Sequence, residues 1–147
     1  QMKENFYHGI LLGILGFQQN WSVSSNKESG DGYSDILIET EDQETGIIIE
    51  IKYAETGNLE AVSEEALKQI EDRRYEEQLL EEGVEHILKY GIAFYKKKCR
   101  VMTVKSMKNK YTKAAEPLRD VIQWFCFLLS VLMKLLNVTG ILRFRKA

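Results

Sequence analysis

Ile47-Ile48-Ile49-Glu50-Ile51-Lys52, preceded by Gly30-Asp31-Gly32-Tyr33-Ser34-Asp35-Ile36, is the part of the chain whose reading decides the fold. Side chains of a β-strand alternate between its two faces. Ile47, Ile49 and Ile51 therefore share one face, and Glu50 and Lys52 share the other. Thr40 to Thr45 is short and polar, so an antiparallel hairpin is the cheapest link back to Ile36–Glu39. If Glu39 stands opposite Gly46, the same register carries Asp35 to a place opposite Glu50 on the same face. Two neighbouring carboxylates repel unless something positive lies between them. A hard cation such as Mg²⁺, held by one or two carboxylates with water and phosphate, is the natural choice. Lys52 stands one strand repeat further on, placed to orient water or offset negative charge. Set against this, a Glu-x-Lys on a strand is ordinarily a solvated face with a surface ion pair.

Working outward, Glu4 to Leu15 reads as a helix: Phe6, Tyr7, Ile10, Leu11, Ile14 and Leu15 recur at helical spacing, and Gly16 ends the run. Gly9 and Gly13, four apart, give that helix one smooth face suited to close packing. Trp21, Val23 and Ser25 alternate with polar neighbours and predict a first strand, and Glu28 to Ser34 reads as a turn. Gly46 to Tyr53 completes the hairpin. A second helix begins at Asn58 or Ser63 and runs to about Leu80, with a break near Tyr75; its stripe is Val62, Ala66, Leu67 and Ile70, and Gly83 is its stop. Ile87–Tyr95 and Cys99–Val104 are two more strands across a turn at Lys96–Lys98. The order helix, three strands, helix, two strands predicts an α+β or mixed α/β layer fold.

With 147 residues, 44% apolar and 29% charged, the chain suits a single core. The net charge of −2 hides a split. Residues 1–95 hold 7 Lys/Arg against 20 Asp/Glu, and residues 96–147 hold 13 against 2. A polyanion would meet the basic end first, unless tail and body simply neutralise each other. The two cysteines, Cys99 and Cys126, are too few for a disulfide framework and form no zinc motif. Both are read as reduced thiols, which with the lack of a signal-peptide pattern predicts a cytoplasmic protein. The Gln1-Met2 start fits a piece of a longer chain. Residues 105–147 read as a second unit, a basic linker followed by an apolar helix that Pro117 opens and Asn137 with Gly140 closes. Val121 to Leu136 is apolar on nearly every face, so it needs burial in protein, in an oligomer or in lipid. It would rise roughly 24 Å at about 1.5 Å per residue, short of a hydrocarbon core of about 30 Å. Extending it to Leu142 gives enough length but places Lys134 and Asn137 inside, so burial or oligomer packing is favoured over membrane association.

Several short motifs in one order are more specific than Glu-x-Lys alone. They are Asn5-Phe6-Tyr7-His8-Gly9 with Leu11-Leu12-Gly13, then Ser25-Asn26-Lys27-Glu28-Ser29-Gly30-Asp31-Gly32-Tyr33-Ser34-Asp35-Ile36, then Ile49-Glu50-Ile51-Lys52. Ala66-Leu67-Lys68-Gln69-Ile70 with Tyr75, and Tyr90-Gly91-Ile92-Ala93-Phe94, follow. In this pattern, from Glu4 to about Met102, the chain resembles a PD-(D/E)XK nuclease-superfamily domain. More narrowly, it is similar to the bacterial version usually found C-terminal to an AAA-ATPase-like domain. The resemblance implies a restriction-endonuclease-like core over residues 1–104, a central mixed β-sheet flanked by helices. It implies Asp35 and Glu50 as metal ligands with the Ile51 carbonyl as a third, Lys52 as the catalytic lysine, and Gln69 reaching in to hold substrate or water. Glu4 would complete the metal shell and His8 would touch phosphate; the plain alternatives are a helix-start carboxylate and a hydrogen-bonded structural histidine. Tyr75 is read as packing. Ser34 stands where the family name has proline, a small departure, and nothing past Met102 carries the resemblance.

Together these readings predict a Mg²⁺- or Mn²⁺-dependent nuclease that hydrolyses nucleic-acid phosphodiesters, DNA foremost. The alternative is a catalytically silent nuclease-fold module serving protein assembly or a membrane-associated interaction. An acidic body binds DNA poorly by itself, so help is expected from the basic tail, a homo-oligomer, or an upstream AAA-ATPase-like domain.

Overall fold

The computed structural model describes residues 2–106 together with Trp124, Phe127, Leu128 and Val131. Its elements are α1 (Met2–Leu15), β1 (Trp21–Ser29), β2 (Gly32–Thr40), β3 (Thr45–Tyr53), α2 (Leu59–Asp72), α3 (Glu77–Glu81), β4 (His86–Tyr95) and β5 (Lys98–Ser106). The five strands form one sheet in sequence order. Only β3 and β4 are parallel, because α2 and α3 lie between them and carry the chain back; the other neighbours are antiparallel. The expected mixed sheet with flanking helices is what the chain forms.

Strand alternation sorts the core into two faces. Ile36, Ile38, Ile47, Ile49 and Ile51 pack with Tyr7, Leu11 and Leu15 of α1, while Leu37 and Ile48 pack with Leu67 and Ile70 of α2, Tyr75, and Leu79 of α3. β3 is covered on both sides, which explains its near-continuous isoleucine run. Tyr7 fixes α1 in place. Its ring stacks on Phe94 at 4.4 Å between centroids, and its hydroxyl donates to the Lys96 carbonyl at 2.7 Å.

Several boundaries differ from the sequence reading. The reversal between β1 and β2 is confined to Gly30-Asp31 rather than Glu28–Ser34, because Gly30 takes φ +53° and lets both strands run to the turn. The helix starting at Asn58, whose side chain accepts from the Ala61 N–H, stops at Asp72, and a separate short helix follows. Ser63, not Val62, is the buried member of the α2 stripe. Gly9 and Gly13 are exposed, with nothing within 4 Å of a Cβ at either position, so the smooth face of α1 meets no neighbour among the described residues. Close approach occurs at Gly91 instead, where a Cβ would lie 2.3 Å from the Ser63 carbonyl oxygen.

β5 extends to Ser106, past the boundary expected at residue 104. The rest of the expected linker and apolar helix falls mostly outside the described residues. Trp124, Phe127, Leu128 and Val131 are helical and exposed. Among the described residues no helix is long and apolar enough to cross a membrane. Cys99 is disulfide-bonded, not the reduced thiol expected.

Candidate active site

The β2–β3 ladder has the expected register, Glu39 opposite Gly46, but its last pair is Ile36 with Ile49. Beyond that point β2 leaves β3, and backbone donors on the uncovered edge of β3 need other acceptors. Carboxylates supply them. Asp35 Oδ2 accepts from the Ile51 N–H at 2.7 Å, and Glu4 Oε1 accepts from the Tyr53 N–H at 3.1 Å. The β1–β2 ladder also skips a pair here. Ser25 faces Ile36 and Lys27 faces Ser34, while Asn26, with φ +50°, and Asp35 between them are unpaired.

Asp35 is thus released from both neighbouring ladders, and side chains take up its backbone. His8 Nε2 lies 2.9 Å from the Asp35 carbonyl oxygen and 3.1 Å from Ser25 Oγ. A carbonyl only accepts, so Nε2 carries a proton in this contact. The Asp35 backbone N–H is near enough to the Glu50 carboxyl to favour its charged form.

Glu50 is buried, as the sheet face under α2 demands. Opposite it in β4 stands Gly91, whose missing side chain lets the backbone of α2 descend onto the sheet. That descent brings Gln69 to Glu50, where Gln69 Nε2 donates to Glu50 Oε1 and also lies 3.4 Å from the Tyr75 hydroxyl. One helical turn earlier, Glu65 Oε1 stands 3.4 Å from Lys52 Nζ. Glu50 Oε2 is buried without a hydrogen-bond partner.

Burial, then the charge of Asp35, pushes the Glu50 carboxyl up to about 8 from an ordinary 4.5. Lys52 pulls it down, by less. Asp35 is also raised, mainly by burial, against the opposing hydrogen bond from Ile51 and the charges of His8 and Lys52. The residues meet in one cavity of about 350 Å³ lined by Asp35, Glu50, Ile51, Lys52 and Gln69 with Glu4, Asn5, His8 and Asn26. The Ile51 side chain is buried in the opposite core face, so its backbone is what the cavity meets. Every residue singled out from the sequence borders this space. Asn5 and Asn26 were missed as site residues, and Tyr75, read as packing, also reaches Gln69. The left-handed φ of Asn26 has no mark in the sequence.

A family profile described as the PD-(D/E)XK nuclease superfamily matches residues 2–104. The chain belongs to the PD-(D/E)XK nuclease superfamily. No curated protein and no solved structure matches it. In this superfamily member the donor set can be tested against a divalent ion from its own geometry. Among the described residues no group of three or more His, Cys, Asp or Glu side chains stands together to hold a metal. Two close carboxylates are present, however, one with an unpartnered buried oxygen, beside the backbone of Ile51. That set fits Mg²⁺, which takes few protein ligands and keeps water and phosphate in its shell. It does not fit an ion that needs a full protein cage.

Proposed function

We propose that this chain is a divalent-metal-dependent nuclease that hydrolyses phosphodiester bonds of nucleic acid, with DNA as substrate and Mg²⁺ or Mn²⁺ as the ion. The observation that carries the reading is Glu50 Oε2, buried and without a partner beside a second raised carboxyl at the point where two strand ladders open. An isolated acid in such a place is costly, and a cation relieves the cost. Asp35, Glu50 and the Ile51 carbonyl would hold the ion, with Glu4 kept on the Tyr53 N–H. The ion supplies concentrated positive charge where negative charge develops on phosphate oxygens.

The remaining roles belong to the chain itself. Gln69 fixes Glu50 through Oε1 and leaves Oε2 to the cavity. Lys52, steadied by Glu65, adds a preorganised positive charge beside the carboxylates. His8 holds the Asp35 backbone at its carbonyl. Residues 1–95 carry 20 Asp/Glu against 7 Lys/Arg, so intrinsic DNA affinity is weak, and an upstream AAA-ATPase-like domain or the basic residues 96–147 would deliver substrate. The exposed helical residues Trp124, Phe127, Leu128 and Val131 favour self-association as a further property.

The test is cleavage of single-stranded and duplex DNA with Mg²⁺ or Mn²⁺, with Lys52→Ala alongside. The variant should lose about 100-fold or more of the rate. Cleavage that survives in Lys52→Ala, or a wild-type protein that neither cleaves nor binds Mn²⁺, sinks the nuclease reading and leaves the non-catalytic module.

A further inference from the structure

Nearly every hydrogen-bond donor around the cavity is already committed. Gln69 Nε2 is taken by Glu50 and Tyr75, Lys52 Nζ by Glu65, and His8 Nε2 by the Asp35 carbonyl and Ser25. Two side-chain amides remain. Asn5 and Asn26 line the same space, are exposed, and have no side-chain hydrogen-bond partner among the described residues.

Asn26 is the more informative of the two. It sits mid-strand with φ +50°, a region that L side chains other than glycine seldom adopt and that asparagine tolerates better than most. The β1–β2 register is the same on either side of it, so no residue has been inserted. The strand turns at one position, across from Asp35, and resumes. No described part of the fold uses the amide presented there.

We propose that Asn26, seconded by Asn5, is a phosphate-contacting residue, its amide N–H donating to a non-bridging oxygen of the phosphodiester seated at Asp35 and Glu50. This rests on the nuclease reading and adds a substrate subsite to it. The cavity bears the carboxylates of Glu4, Asp35 and Glu50 against the ammonium of Lys52. A cationic donor opposite Asp35 would pair with the oxygens an ion needs. A neutral amide holds phosphate without that competition. It orients the substrate by geometry, and it displaces no counterion from the nucleic acid.

Asn26→Gly keeps the left-handed backbone and removes the amide. Asn26→Asp keeps the shape and sets a negative charge against phosphate. A contact present in both the bound substrate and the transition state shows in KM more than in kcat. In full-length protein with Mg²⁺, Asn26→Gly should raise KM for a DNA oligonucleotide about fivefold, and Asn26→Asp should raise it further. For Asn26→Gly, kcat should stay within about twofold, Mn²⁺ affinity without DNA should be unchanged, and the salt dependence of KM should keep its slope. An unchanged KM in both variants overturns the assignment while wild-type cleavage preserves the nuclease reading. Loss of Mn²⁺ binding or of melting temperature in Asn26→Gly also overturns it, since Asn26 would then be part of the scaffold. A wild-type protein that cleaves nothing overturns both.

Discussion

Glu50 stores a proton that the unfolded chain would release. Its carboxyl sits near 8 in the folded protein against an ordinary 4.5, because burial and the neighbouring Asp35 both disfavour the anion. The folded state therefore binds this proton more tightly. Stability from Glu50 is fully present below about 4.5 and drains away as pH rises to about 8. Without metal, the wild-type protein should lose up to about 1.4 kcal/mol per pH unit across that window from this group. Glu50→Gln should flatten the profile and be the more stable protein at its upper end. Urea denaturation of both proteins in EDTA at several pH values checks this; parallel profiles would show that Glu50 is not strained. At this scale the sequence was largely legible. Asp35, Glu50, Ile51, Lys52 and Gln69 could be placed from alternation and resemblance, since β3 has a fixed period. The place of Asn26 in the cavity could not, because it depends on a backbone torsion that leaves no pattern. The bonding of Cys99 could not either, since a cysteine count says nothing of pairing.

Elements are held at the site by two close approaches, and their energies differ. The β1–β2 turn docks on the end of α2: the Asp31 N–H donates to the Arg73 carbonyl at 2.8 Å, and Arg74 grips Asp31 Oδ2 through Nε at 3.1 Å and Nη2 at 2.9 Å. Both side chains of that ion pair are more than half exposed, so it contributes little. Arg74→Ala should leave stability nearly unchanged. Gly30 is another matter, because a Cβ there would lie 2.3 Å from backbone oxygens of Arg73 and Arg74, at a φ that alanine resists. Gly30→Ala should cost about 2 kcal/mol or more, and denaturation curves of the two variants should separate clearly. The second approach is at Gly91. Gly91→Ala must lift α2 from the sheet, at a cost of about 1–3 kcal/mol, and draw Gln69 away from Glu50. Weakened Mn²⁺ binding in Gly91→Ala under conditions where it remains folded would show that helix height sets the site. Unchanged affinity would show that Gln69 is dispensable to it. The helices and strands themselves were readable from periodicity, and their contact was not. Two glycines in α1 looked like the packing signal, while the close approaches fell at Gly30 in a turn and at Gly91 inside an apolar strand.

Across the whole molecule, the strand order follows from short connections on either side of a single parallel crossover, which is why the layer architecture could be anticipated from element order alone. The charge distribution was equally plain, and it bears on how the folded protein answers a cation. Residues 1–95 concentrate carboxylates, and the cavity gathers three of them around Lys52, so a divalent ion should bind the folded state well ahead of the unfolded one. Such an ion stabilises by about 2.7 kcal/mol when present at about a hundred times its Kd. Because Glu50 must give up its proton first, the gain in melting temperature from Mn²⁺ over EDTA should be larger near pH 8 than near pH 6. Asp35→Ala and Glu50→Gln should abolish the gain. Glu4→Gln should retain it, since a carboxamide oxygen can still accept from the Tyr53 N–H and the proposed ligand set excludes Glu4. Loss of the Mn²⁺ effect in Glu4→Gln would make Glu4 a fourth ligand. A shift that persists in Asp35→Ala would mean that the ion binds the acidic surface at large, with no centre between the two opened ladders.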